Sequence, residues 1–524
     1  MTLHIQNWET IPAETIRVAQ AAFPNGNVYL KMRDEWGFLY QDEQFRDLFC
    51  SSSGQPAQSP AHLALVTVMQ HRSALSDRQA AEAVRSRIDW KYALGLPLEA
   101  VGFDDSILSE FRTRLVAGEQ VLFLLDHFLQ VCQERQWLKA RGKQRTDSTH
   151  ILGAIRRLNR LELVGETMRH SLNLLSQVVP DWLLEQVDSH WFERDEHRVE
   201  QYRLPSSQPK QLELARQIGQ DGHQLLAAID ESSQRDLLIK IPAVMALRQI
   251  WIQHYRLEAG QLDFNWTGYA AHFTETADPE QVNLITHVVT TPFTTGDARV
   301  TLEIHQALAE KNLLPREHWV DTGYMSAANL LGSQTLHQVD LLGPIPGDTS
   351  WQAQEPHRFD LTAFTIDWNQ EQVTCPMQKQ SRLWKPGLDS KQLPIIRVAF
   401  SRTDCNACPR RGDCTRSPTN PRVLNLKPQA EHNILQQTRQ THNTDEFRQR
   451  YAIRAGVEGT ISQLVRGFDL RRSPYLGLAK THLHNVVIAT GTNITRLMAW
   501  LNGKPKAATR ISPFAQLKPT STTK

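Results

Sequence analysis

Apolar residues recur at helical spacing from about Ala61 to Leu115, where "AHLALVTVMQHRSALSDRQAAEAVRSRIDWKYALG" carries few Gly or Pro, and this pattern predicts a set of packed helices. Ser76 in "LSDRQAAEAV" stands where a helix N-cap belongs. A turn over "LGLPLEAVGFDDS" and a further helix, "ILSEFRTRL", complete an order like that of a helix-turn-helix, which aims Arg78, Arg85 or Arg87 at DNA; an ordinary bundle with a wet basic face has the same pattern. Beyond Ala154 helical spacing resumes and runs to about Arg256. The pattern then changes to alternation in "LDFNWTGYAAHFTET" and "VNLITHVVTTP", separated by the turn-like "ADPEQ", which predicts a β-hairpin. A helix, "DARVTLEIHQALAEKN", leads to "HWVDTGY", where a buried strand stops at Asp321. With a strand through "QRTDSTHILGA" ahead, the order is strand, long helical insert, hairpin, helix, strand, helix: an interrupted α/β sheet. Short strands with many Pro, Gly and Trp occupy the stretch from about Asp340 to Leu426, and Glu446 to about Asn502 is helical again.

The chain has 524 residues, enough for about two to four domains. Its 58 basic residues nearly balance 56 acidic ones, a net charge of +2, so any surface for a polyanion must be local. No apolar run reaches the roughly 18–20 residues of a membrane span, and the start lacks a signal-like pattern. A cytoplasmic, membrane-free location is the expectation. Of six cysteines, Cys50 and Cys132 stand alone in helix-like apolar settings; Cys375, Cys405, Cys408 and Cys414 fall in one later region.

Asp147 lies in or at the end of one predicted strand and Asp321 ends another. A single Asp at such a junction is ordinarily a turn-former or a helix cap. Two such ends in one sheet converge on the crevice where ligands bind, and a divalent cation is the usual means of keeping neighbouring carboxylates ionised. Tyr451, Arg454 and Glu458 in "RYAIRAGVEGTIS" share a helix face that continues through Ile461, Ser462 and Val465. An i, i+4 Arg–Glu pair on a wet surface has the same spacing. The mixed face points Glu458 inwards, where it needs a partner such as a cation shared with the two Asp residues. Ser148 and Thr149 are assigned to shaping the strand, and His150 to the core.

The segments "TDSTHI", "HWVDTGY" and "YAIRAGVEGTISQLVRGFDLRRSPYLGLAKTHLHNVVIATGTNITRL" together resemble the bacterial insertion-sequence DDE transposases, in particular those with a Tyr-Arg-Glu signature around the last acid. The amino-terminal "SPAHLALVTVMQHRSALSDRQAAEAVRSRIDWKYALGL" is similar to the helical domain of the same enzymes. The resemblance implies a ribonuclease H-like mixed sheet, broken by a helical insert and by a β-rich, cysteine-containing insert, behind an all-α domain. The domains implied are 1–135, helical and DNA-binding; 136–340, the first part of the core, with its helical insert at about 156–256; 341–440, the β-rich insertion; 441–502, the helical end of the core; and 503–524, a basic disordered tail. It also implies that Asp147, Asp321 and Glu458 bind Mg²⁺ or Mn²⁺, accompanied by Tyr451 and Arg454. Relatives often carry a Lys seven residues after the Glu, where this chain has Val465; Arg466, Arg471, Arg472 or Lys480 then supplies the contact to DNA.

Cys405, Cys408 and Cys414 form C-x₂-C-x₅-C, and Cys375 can supply a fourth thiolate. Structural Zn²⁺ is the first reading, with an iron–sulfur cluster or reduced thiols as alternatives. Arg402, Arg410, Arg411 and Arg416 surround these cysteines and Trp351, Trp368 and Trp384 precede them, a mixture that suits DNA ends, although the Trp residues serve equally as the core of a small β unit. The implied activity is cleavage at the terminal inverted repeats of an insertion element and strand transfer into target DNA, by a homodimer in the bacterial cytoplasm, nucleoid-associated when DNA-bound. Two alternatives stay open: a nuclease that hydrolyses without strand transfer, and a non-catalytic DNA-binding protein derived from a transposase.

Overall fold

The computed structural model describes residues 2–49, 56–153, 157–195, 204–205, 207–258, 261–263, 268–345, 347–348, 350–355, 357–389, 392–442, 444–475 and 477–506. Cys50 and the tail from 507 onward lie outside them.

Thirteen strands are described. Strand β1 is Lys143–Gly153; β2 (Arg256–Glu258) and β3 (Gln261–Asp263) pair with each other; β4 (Tyr269–Thr276) and β5 (Ile285–Pro292) form the hairpin that the alternation predicts. Then come β6 (Glu317–Trp319), β7 (Asp340–Leu342), β8 (Thr365–Asp367), β9 (Gln372–Thr374), β10 (Ser381–Leu388), β11 (Pro394–Phe400), β12 (Val423–Leu426) and β13 (Arg472–Ser473).

The main sheet runs β5-β4-β1-β6-β7, with β13 added to β1. On one side of β1 the strands are antiparallel, Asp147 lying opposite Phe273; on the other side β6 runs parallel to β1 and β7 parallel to β6. The fold class is thus α/β with a mixed sheet. Strands β4 and β5 are buried along nearly their whole length, as strands covered by helices on both faces must be. Helix Leu478–Leu501 lies against β5: the Asn493 amide brackets Ile285, accepting from its N–H at 2.7 Å and donating to its carbonyl at 2.8 Å.

The same helix also packs against helix Pro60–Arg72, with Arg72 Nε donating to Thr495 Oγ1 at 3.1 Å and a His71–His484 ring hydrogen bond of 3.1 Å. One hydrophobic core therefore joins Tyr40, Phe45, Met69, Trp90, Phe111 and Phe128 of the first helices to Phe273, Val288 and Ile304 around the sheet, and to Val486 and Leu497. Ser76 does cap the helix Asp77–Ser86, in a reciprocal box with Gln79. Helices between Arg157 and His254 bury a second core around Val164, Trp191, Leu225 and Trp251. A third, smaller core gathers Phe364, Val373, Val398, Phe400, Leu424 and Leu426 beneath β8–β12. No helix among the described residues is long and apolar enough to cross a membrane.

Candidate active site

Three separate elements bring the sequence-derived acids together. Side chains alternate along β1, so Thr146 turns to one face, where it bonds Thr274 and His318, while Arg145 and Asp147 turn to the other. Asp321 follows β6 and caps the short turn Thr322–Tyr324, its Oδ1 accepting from Gly323 N–H at 3.4 Å. Glu458 stands in the first turn of helix Gly456–Phe468.

Arg454, on the turn before that helix, joins them. Its Nη2 is 2.8 Å from Asp147 Oδ2 and 3.5 Å from Asp321 Oδ2, and its Nη1 is 2.8 Å from Glu458 Oε1. The guanidinium Nε is buried and has no partner among the described residues. Tyr451 lies one turn earlier, and its hydroxyl donates to the Val320 carbonyl, next to Asp321, at 3.1 Å. Burial pushes the Asp147 carboxyl above its ordinary value; Arg454 opposes the push, and Asp321 and Glu458 add to it. Burial likewise raises the Tyr451 phenol to about 12, so it remains a donor at neutral pH.

Two sequence expectations need correction. Glu458 does not point inwards: its side chain is 62% exposed. The buried stripe of its helix is Val457, Thr460, Ile461 and Leu464, and Glu458 lies one position round from it. His150 is exposed, not a core residue, and its ring meets Phe293 edge-on with centroids 4.4 Å apart.

Sequence reasoning missed the support beneath the acids. Glu275 on β4 is fully buried and receives Arg145 Nη2 at 2.6 Å, Arg496 Nη1 at 2.8 Å and the Thr460 hydroxyl at 2.6 Å. Arg145 also donates to the Ile453 carbonyl at 2.6 Å, tying β1 to the turn that carries Arg454. The available signal was parity: Arg145 and Asp147 are two apart on one strand and share a face. A fourth acid, Asp297, is also near; burial raises its carboxyl, and Asp321 adds to the rise. It lies 3.9 Å from the buried His272, whose Nδ1 is 2.7 Å from the Tyr324 hydroxyl.

The basic candidates divide. Arg466 and Lys480 are exposed; Arg471 is exposed and reaches Thr149 Oγ1 at 3.4 Å; Arg472 pairs with Leu152 through β13. Arg78 is exposed on its helix without an ion pair among the described residues. Arg85 donates to the Val101 carbonyl and to Glu82, and Arg87 is bound twice by Asp89 over the rings of Tyr29 and Trp90, so Arg87 is committed to the fold.

Cys375, Cys405, Cys408 and Cys414 line one cavity of about 320 Å³. The Lys379 N–H donates to Cys375 Sγ at 3.3 Å, and burial raises the Cys414 thiol to about 11. The arginines around them are occupied: Arg410 by Asp413, Arg416 by Glu355, Arg411 by Asn406 and the Ser417 carbonyl, and Arg402 by Asn420. Trp368 and Trp384 meet edge-on at 5.5 Å above the small core, and Trp351 lies under Arg416. Among the described residues no three His, Cys, Asp or Glu side chains are already set as ligands round a metal ion; the three acids enclose Arg454 instead.

A family model described as "Transposase DDE domain" matches residues 374–498, which hold the four cysteines, Tyr451, Arg454 and Glu458. A second, "Transposase domain (DUF772)", matches residues 18–114, the first helices. Asp147 and Asp321 fall outside both. No curated protein and no solved structure matches the chain. Two transposase-family models thus match separate stretches that share one continuous core, and together they support an insertion-sequence DDE transposase.

Proposed function

We propose that this transposase cuts phosphodiester bonds at the ends of its element and joins the freed 3′-hydroxyl to target DNA, at the site of Asp147, Asp321 and Glu458. The observation that carries the reading is one guanidinium, Arg454, in contact with acids from three elements far apart in sequence. Three carboxylates round a single cation leave two negative charges unbalanced. A divalent ion suits that deficit, and the three acids are the residues that would hold Mg²⁺ or Mn²⁺. When bound, such ions supply Lewis-acid stabilisation of an in-line displacement at phosphorus.

The chain's own residues do the positioning. Arg454 screens the acids from one another, Tyr451 holds the end of β6, and the Arg145–Glu275–Arg496 network fixes β1 against the helix of Glu458. Exposure of Asp321 and Glu458 leaves the site open to a duplex laid across it. The order β5-β4-β1-β6-β7, antiparallel to one side of β1 and parallel to the other, supports a ribonuclease H-like reading of the core, with 156–256 and 341–440 as its insertions. A homodimer holding two terminal repeats is the working assembly under this reading.

Structural zinc at Cys375, Cys405, Cys408 and Cys414 is a second part of the proposal. Four thiols facing one cavity, with a backbone N–H directed at Cys375 Sγ, support it.

Incubation with element ends, target DNA and Mg²⁺ tests the function. Joined products are the expected result, and Asp147→Asn, Asp321→Asn or Glu458→Gln should each remove cutting and joining while leaving DNA binding. Nicks without joining favour a plain nuclease, and bound but intact DNA a non-catalytic protein.

A further inference from the structure

The three-stranded sheet β10-β11-β12 has two unlike faces. One cross-strand row, Trp384, Val398 and Leu424, faces the small core. The next row, on the outer face, is Lys385, Arg397 and Asn425, with Lys385 directly opposite Arg397 and Arg397 directly opposite Asn425. Both cations are exposed, and neither has an ion pair among the described residues. Like charges directly opposite across two strands destabilise a sheet. A shallow cavity of about 340 Å³ opens over this row, and no carboxylate is among the described residues lining it.

Protection of a sheet edge accounts for a lysine on the edge strand β10. It does not account for Arg397, which is on the central strand β11 and has no edge to protect. Gly387, two residues beyond Lys385 and on the same face, adds no side chain to cover the cations. The contrast within this unit is sharp: the arginines near the cysteines are bound by Glu355, Asp413 or backbone carbonyls, while the outer-face pair is left unsatisfied.

We infer that the outer face of β10-β11-β12 is a binding surface for the phosphate backbone of duplex DNA, with Lys385 and Arg397 as its charged contacts and Asn425 as a neutral hydrogen-bonding neighbour. The inference rests on the proposed action on DNA, and it places a contact on the cysteine-bearing unit away from the DDE acids. Phosphate contacts of this kind carry no sequence information and give affinity that falls with salt.

The test is the salt dependence of binding by the full chain to a fluorescein-labelled duplex, with and without a terminal repeat, followed by anisotropy over a series of NaCl concentrations. Replacing Lys385→Gln and Arg397→Gln together should reduce the slope of log K against log salt by about two, because each lost phosphate contact removes roughly 0.9. The decrease should be the same for both duplexes, and Arg397→Lys should keep the slope of the unaltered chain. Comparing Arg397→Lys with Arg397→Gln, which differ in charge, separates loss of contact from loss of fold. An unchanged slope in the double variant overturns the surface and leaves the transposase reading intact. Absence of salt-dependent binding by the unaltered chain overturns the action on DNA and this surface together.

Discussion

The Tyr451 hydroxyl donates to the Val320 carbonyl at 3.1 Å, so the segment leading to Glu458 is tied to the strand end that presents Asp321. Tyr451→Phe removes this bond and little else. A neutral hydrogen bond contributes about 0.5–1.5 kcal/mol, so single-turnover cleavage should slow by roughly two- to tenfold while duplex affinity stays unchanged. An unaffected cleavage rate would show that the bond does not position Asp321.

Arg454 reaches three acids through a fork that a lysine ammonium cannot reproduce. Arg454→Lys should lower cleavage and joining tenfold or more, from the loss of charged hydrogen bonds contributing about 1.5–3 kcal/mol each. Rates measured in Mg²⁺ and in Mn²⁺ should fall in parallel if the role is to set the acids in place.

Glu275 is fully buried between Arg145 and Arg496. Glu275→Gln leaves two guanidinium groups in the interior without their counter-charge, a change of about 3–5 kcal/mol in other buried pairs. Urea unfolding should show the loss as a lower midpoint. Because Arg145 also holds the Ile453 carbonyl, cleavage should fall further than the lost stability alone accounts for.

Burial lowers His62, His71 and His305 to about 4, and each is hydrogen-bonded as a neutral ring: His62 to the Leu94 carbonyl, His71 to His484, His305 to His318. A histidine whose folded value is depressed binds its proton more readily when unfolded. Its contribution to stability is therefore complete above about 6.5 and is lost as pH falls from there towards 4, at up to about 1.4 kcal/mol per pH unit for each ring. Thermal midpoints recorded between pH 7 and pH 4 should decline steeply with this sign, and His305→Gln should flatten the decline.

Gly343 follows β7 beside β6, and a Cβ there would stand 2.6 Å from the Val320 carbonyl, the same oxygen that Tyr451 bonds. Gly343→Ala should push that strand end outward, with a cost of about 1–3 kcal/mol. Combined with Tyr451→Phe, its effect on cleavage should be less than additive, since both act on one carbonyl.

Local pattern made some of this legible. The alternation around "ADPEQ" predicted β4 and β5, Ser76 marked a helix start, and Asp147 in one strand and Asp321 at the end of another were recognisable as candidate acids. The phase of the last helix was not. Stripes through Val457, Ile461 and Leu464 and through Glu458, Ser462 and Val465 are one residue apart, and both contain apolar side chains, so spacing alone could not choose the buried one. His150 has the parity of the buried Gln144 and Thr146, but that face of β1 becomes more exposed from Ser148 to His150 while Thr149 and Ile151 on the opposite face stay buried. Nor could spacing reveal that Arg454 meets three acids, or that Glu275 and Arg496 meet from positions more than two hundred residues apart; those relations exist only after the sheet has closed.

Helix Leu478–Leu501 completes a core shared by the first helices and the sheet. While the chain is still on the ribosome, the amino-terminal helices lack the surface against which His71 and Arg72 pack until this late helix emerges. Completion of that core is for that reason tied to the emergence of residues 478–501, and a translation product interrupted before them carries an unfinished core, not a free-standing amino-terminal fragment.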